Sequence, residues 1–201
     1  MGLSFHYNGR IADPVSLPGL IEEVEDIAKA FNWKYFVFDR QFPENTYGKA
    51  DYNQNIYGIC FTPPNCETVD VCFLSNGRMS SLSHLQFWGK TDVQAEREYL
   101  YMLSVKTQYA GVETHQFIIQ LFRYLDKKYL ADFTMSDEGE YWETNDKTLL
   151  ETIFKTYTDL INGFASAIEN YPIQSGENIE SYFERLMKQI NDMKKLGDKL
   201  D

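Results

Sequence analysis

The chain has 201 residues, of which 43% are hydrophobic and 15% aromatic, enough for one domain with a substantial core and too many for a largely disordered protein. Its net charge of −11 repels polyanions at long range; this argues against a nucleic-acid-binding surface and favours either a basic partner or plain solubility. Three cysteines, Cys60, Cys66 and Cys72, without CxxC spacing argue against a disulfide framework and against a zinc knuckle.

Residues 3–9, "LSFHYNG", alternate Leu3, Phe5 and Tyr7 against Ser4, His6 and Asn8, which predicts a half-buried strand ending at Gly9. No basic stretch followed by an apolar run stands at this end, and His6 occupies the place where a myristoylation signal wants Ser or Thr. A cytoplasmic protein is expected, with no contact to membrane. Ser16 is the expected N-cap of an amphipathic helix with Leu17, Leu20, Ile21, Val24, Ala28 and Phe31 on its apolar side. A strand at 33–39 follows, then a long polar loop at 40–55 with Tyr47 and Tyr52 folded back onto the body.

Strands are predicted at 56–62 and 68–75, the second turning at Asn76-Gly77 into a return strand at 78–85. Thr91 is expected to cap a short helix in "TDVQAERE". A strand at 99–108 places Tyr101, Leu103 and Val105 on one face and Met102, Ser104, Lys106 and Gln108 on the other. The helix from about 111 to 129 carries the stripe His115, Ile118, Ile119, Phe122, Leu125 and Tyr129. Residues 131–144 read as a hairpin turning at Asp137-Glu138-Gly139. Asn145 or Asp146 then caps a long helix that ends before Tyr171-Pro172. A last helix from about Glu177 has Ile179, Tyr182, Phe183, Leu186, Ile190 and Met193 on one stripe.

The expected fold class is therefore α+β: a mostly antiparallel sheet with helices packed on one face, and a C-terminal helical hairpin. Residues 1–146 are expected to form the α+β body and 147–201 the helical pair packed on it, together one structural domain. Strand 3–9, helix and strand 33–39 are echoed by strand 99–108, helix and strand 131–136, a candidate β-α-β pseudo-repeat. An intrachain hairpin is the simplest use of the last helix, though its exposed half is also open to a second copy.

Two functional readings arise. In the first, the protein acts by binding a basic protein, as small bacterial immunity or antitoxin proteins of similar charge and size do by analogy, with Trp88, Tyr141 and Trp142 as aromatic anchors. In the second, a small-molecule ligand-binding protein or hydrolase gathers His6, Asn8, Lys106, Gln108 and His115 in one sheet–helix crevice. There His115 serves as base or acid, Lys106 as anion clamp and Gln108 as orienting donor. The plainer alternatives are a core-edge His115 and an ordinary solvated sheet face. The carboxylates of "SDEGEYWETND" do not match a calcium loop, and no phosphate-binding, nucleophile-elbow or zinc-helix motif is present; neither metal nor cofactor is expected. Cys66 is expected to be an inert thiol.

The segments "MGLSFHYNG", "YGICFTPPNCETV", "FLSNGRM", "KTQYAG" and "DEGEYWET" together resemble an uncharacterised group of Bacteroidetes-type bacterial proteins. The resemblance spans much of residues 1–146. It implies a bacterial, intracellular protein; no activity is established for the group, so it assigns no catalytic residue.

Overall fold

The computed structural model describes residues 3–197, with side chains as far as Gln189; Ile190 and Met193 of the last stripe lie outside the described side chains. The fold is α+β, but its strands divide between two three-stranded antiparallel sheets instead of forming one. In the first, β1 (Ser4–Ile11) lies between β5 (Leu103–Lys106) and β6 (Leu130–Asp137). The second has the order β2 (Lys34–Val37), β3 (Tyr57–Thr62), β4 (Val69–Phe73).

Alternation fixes the register of β1. Leu3, Phe5 and Tyr7 are buried, while His6 and Asn8 face solvent. The strand does not stop at Gly9. With no side chain there, the Phe133 backbone comes close, and an added Cβ would lie 3.1 Å from its Cα. A bulge between Asn8 and Arg10 follows, and the strand runs on to Ile11. Under this sheet, α3 (Val112–Tyr129) buries the whole expected stripe. Phe122 meets Phe5, Tyr7 and Phe133 at ring separations of 5.9, 4.7 and 5.6 Å.

The helix α1 (Leu17–Ala30) lies against β2 and β3 with Leu20, Ile21, Val24 and Ala28 buried. Ser16 stands at its N-cap position without capping it: its hydroxyl donates to the Asp13 carbonyl at 2.7 Å. The Asp13 carboxylate, accepting from Val15 N at 2.9 Å, instead starts a single 3-10 turn, Pro14–Ser16. Tyr7 joins the sheets: its hydroxyl donates to the Asp70 carbonyl at 2.8 Å and accepts from Asp70 N at 3.1 Å. The β-α-β echo does not extend to pairing, because β1 and β2 belong to different sheets whereas β5 and β6 flank β1 in the same one.

The return strand at 78–85 is not formed. Only Arg78 and Met79 make bridges, to Arg10 and Phe73. The Ser81 hydroxyl then accepts from His84 N at 3.1 Å and starts α2 (Leu82–Trp88), a cap that outcompetes extended pairing. Residues Gln94–Tyr101 form a 3-10 helix, so the strand expected from 99 begins only at Leu103. Val93 occupies the N-cap position of that helix, and Thr91 braces the turn before it by donating to Glu96 at 2.6 Å.

The hairpin at 131–144 also gives way to a helix. β6 ends at Asp137, whose carboxylate accepts from the N–H groups of Gly139, Tyr141 and Trp142 at 2.7, 2.9 and 3.1 Å. Those bonds turn the chain into α4 (Tyr141–Thr144). Asp146 then caps α5 (Lys147–Asn170), accepting from Thr148 N at 2.8 Å.

Two compact units meet inside α5, at Phe154 and Lys155, two turns beyond the expected boundary at 146. Leu150 and Phe154 account for the shift, since both are buried in the first unit's core. The second unit is the rest of α5 with α6 (Ile179–Gly197), an antiparallel pair. Ala167, Tyr182 and Leu186 form its core, and Arg185 clasps Glu177 at 2.8 Å. No helix among the described residues is long and apolar enough to cross a membrane.

Candidate functional site

His115 is wholly buried and lies at the centre of a hydrogen-bonded chain. Its Nδ1 is 2.6 Å from the Thr107 hydroxyl and its Nε2 is 3.1 Å from the Asp137 carboxylate. An ionised Asp137 only accepts, which assigns a hydrogen to Nε2. Burial, the largest influence on Asp137, pushes its carboxyl up. The bond and charge of His115 and the N–H groups of Gly139 and Trp142 outweigh it, and the net shift is downward.

Hydroxyl, imidazole and carboxylate in this order resemble a nucleophilic triad, but no substrate can reach them. Thr107 and His115 have no exposed surface, the Phe5 and Phe154 rings pack edge-on to the imidazole, and a Cβ at Gly139 would touch Nε2 at 3.0 Å. The chain is a staple that ties the exit of β5, the first turn of α3 and the end of β6 together.

This placement dissolves the expected crevice. His6 and Lys106 do emerge on the same face of paired strands, with Ser4 opposite Lys106 and His6 opposite Ser104. His115 and Gln108 are on the buried side, and the Gln108 Oε1 accepts from Leu3 N at 3.3 Å. The anchors fare similarly. Tyr141 is buried, its hydroxyl accepting from Gln116 and Gln120, while Trp88 and Trp142 are half-buried. Burial raises the Cys66 thiol to about 12, which keeps it protonated.

A different concavity collects the cations. A cleft of about 330 Å³ is lined by Asn8, Arg10, Lys49, Asn76, Arg78, Tyr101 and the carboxylate-bearing Asp132. Arg10 and Arg78 are bridge partners on adjacent extended segments, which sets two like charges opposite one another. Arg10 pairs with Asp132 at 2.8 Å, but both side chains are largely exposed and the pair is weak. The Arg78 guanidinium lies 3.3 Å from the centre of the Tyr101 ring. Among the described residues, neither Arg78 nor Lys49 has a carboxylate partner.

No family model, curated protein or solved structure matches the chain.

The long loop delivers Lys49. Tyr47 donates to the carbonyls of Ile11 and Ala12 at 2.8 and 2.9 Å, and Gly48 N donates to the Asn76 carbonyl at 3.1 Å. The Tyr47 ring lies over Gly77, where φ is 86° and an added Cβ would be 2.6 Å from the ring. The fold-back of Tyr47 and Tyr52 expected from the sequence is thus present, Tyr52 donating to the Gly89 carbonyl at 3.2 Å. Of the residues nominated from sequence, only Asn8 lines this cleft. The signal for the cleft is local: Arg10 keeps the outward parity of His6 and Asn8, the extra residue of the bulge lying in β6, and Arg78 directly follows the Asn-Gly turn. Among the described residues, no three His, Cys, Asp or Glu side chains are grouped to hold a metal ion.

Proposed function

We propose that the protein acts by binding a small anion, carrying a carboxylate or phosphate group, in the Arg10–Lys49–Arg78 cleft. The observation that carries this is that three cations line one cleft, and that Arg78 and Lys49 have no carboxylate partner among the described residues. Guanidinium forks suit planar, bidentate anions, and the cleft has the volume of a small-molecule site. A net charge of −11 over the whole chain makes a local concentration of cations harder to ascribe to chance.

The test is thermal unfolding with inorganic phosphate and with citrate, at low and high sodium chloride. A bound anion raises the melting temperature, by an amount equivalent to about 2.7 kcal/mol at a hundredfold excess over Kd. The rise shrinks with salt and is lost in Arg78→Ala and in Lys49→Ala. An equal rise in wild type and variants, or none at all, refutes the site.

The net charge favours a second reading, a basic protein partner. With Tyr141 buried and Trp88 and Trp142 half-buried, that reading loses its anchors and rests on charge. A cationic protein retained from the source cell's lysate at low salt, and by the Arg78→Ala variant equally, would support it over the cleft.

A further inference from the structure

We infer that the helical pair of the second unit mates face to face with the same pair of a second copy of this chain, forming a four-helix bundle. Two stripes lie side by side outside the pair's own core of Ala167, Tyr182 and Leu186. Leu160, Phe164 and Ile168 recur every four residues on α5, and Ile179, Phe183 and Met187 do so on α6. Phe164 and Phe183 stack nearly parallel, 9° between planes and 6.3 Å between centroids. In an antiparallel pair that contact sets Leu160 level with Met187 and Ile168 level with Ile179. The stripes therefore form three rungs of one apolar face.

All six side chains are exposed, from 36% for Phe164 to 68% for Ile179. Together they present roughly 500 Å² per copy, within the upper part of the range that monomers leave uncovered. Two such faces bury roughly 1,000 Å², about the least that a specific interface buries. A two-fold axis through the phenylalanine rung closes the assembly as a dimer. Acidic flanks and the net charge of −11 oppose anionic lipid as the occupant.

Sedimentation equilibrium and light scattering on the full chain across micromolar concentrations test the inference. The expected mass is twice 23.5 kDa, falling to 23.5 kDa in Phe183→Glu. Because Phe183 also touches its own pair, Ile179→Glu provides the cleaner test. Its side chain is the most exposed of the six, and the variant is expected to keep wild-type helicity by circular dichroism while raising the dimer dissociation constant at least tenfold. A monomer at every concentration, or a dimer indifferent to both substitutions, overturns the inference.

Discussion

The staple of Thr107, His115 and Asp137 and the cleft of Arg10, Lys49 and Arg78 are both polar clusters drawn from distant parts of the chain, and they differ in every respect that matters for function. In the staple, nitrogen and oxygen face each other with complementary roles, and water is excluded. In the cleft, Arg78 and Lys49 have no carboxylate partner among the described residues and solvent enters. A satisfied buried network stabilises and specifies the fold, whereas open cations without a carboxylate partner leave room for an anion. His115, a catalytic candidate from sequence, is here part of the buried staple.

The largest expected effect breaks the staple. Asp137→Ala strands the imidazole N–H and the N–H groups of Gly139, Tyr141 and Trp142, and is expected to cost about 3–4 kcal/mol in urea unfolding. A cost below about 1 kcal/mol would mean that the network is incidental. The folded-state pKa of Asp137 is lowered, so its stabilisation is present above the unfolded carboxylate range and drains away as pH falls through the folded value. Asp137→Asn should flatten that acid limb.

Next is Gly77→Ala, expected to cost about 2 kcal/mol, because a positive φ and the Tyr47 ring both oppose the methyl group. If Tyr47 positions Lys49, this variant also loses most of its anion-induced thermal shift; an undiminished shift would separate the loop from the cleft.

Asp70 offers an intermediate case, a carboxyl that burial alone raises to about 7. The native state then holds a proton that the unfolded chain has released, so stability falls as pH rises from about 4 to 7 and is level above. Asp70→Asn should gain about 2 kcal/mol at pH 8 and nothing at pH 4; three pH units would give twice that, but the carboxyl keeps some solvent. A gain equal at both pH values would contradict the assignment. Smallest is Arg78→Ala, expected to alter stability in anion-free buffer by under about 1 kcal/mol, since lost stacking on Tyr101 and relieved repulsion from Arg10 oppose each other.

Much of the fold was legible because it follows from local periodicity. The parity of Phe5 and Tyr7 against His6 and Asn8 held, as did the stripe from His115 to Tyr129. The errors cluster where one side chain redirects the backbone. Ser81 and Asp137 each start a helix where alternation continued a strand or a hairpin, and neither capping bond has a signature beyond its own residue type. The division into two sheets was hidden because it depends on β5 and β6 choosing β1 over the neighbours nearest in sequence. The cleft was illegible for a related reason: segments 8–10, 48–49 and 76–78 meet only through tertiary hydrogen bonds of a loop that carries no periodicity.

Tyr47 fastens that loop by two hydrogen bonds before any ligand arrives, so the conformational entropy of placing Lys49 is lost during folding and not at encounter. If the proposed anion binds there, its association is ungated: the rate is set by diffusion and the local field, and selectivity among anions appears in their dissociation rates.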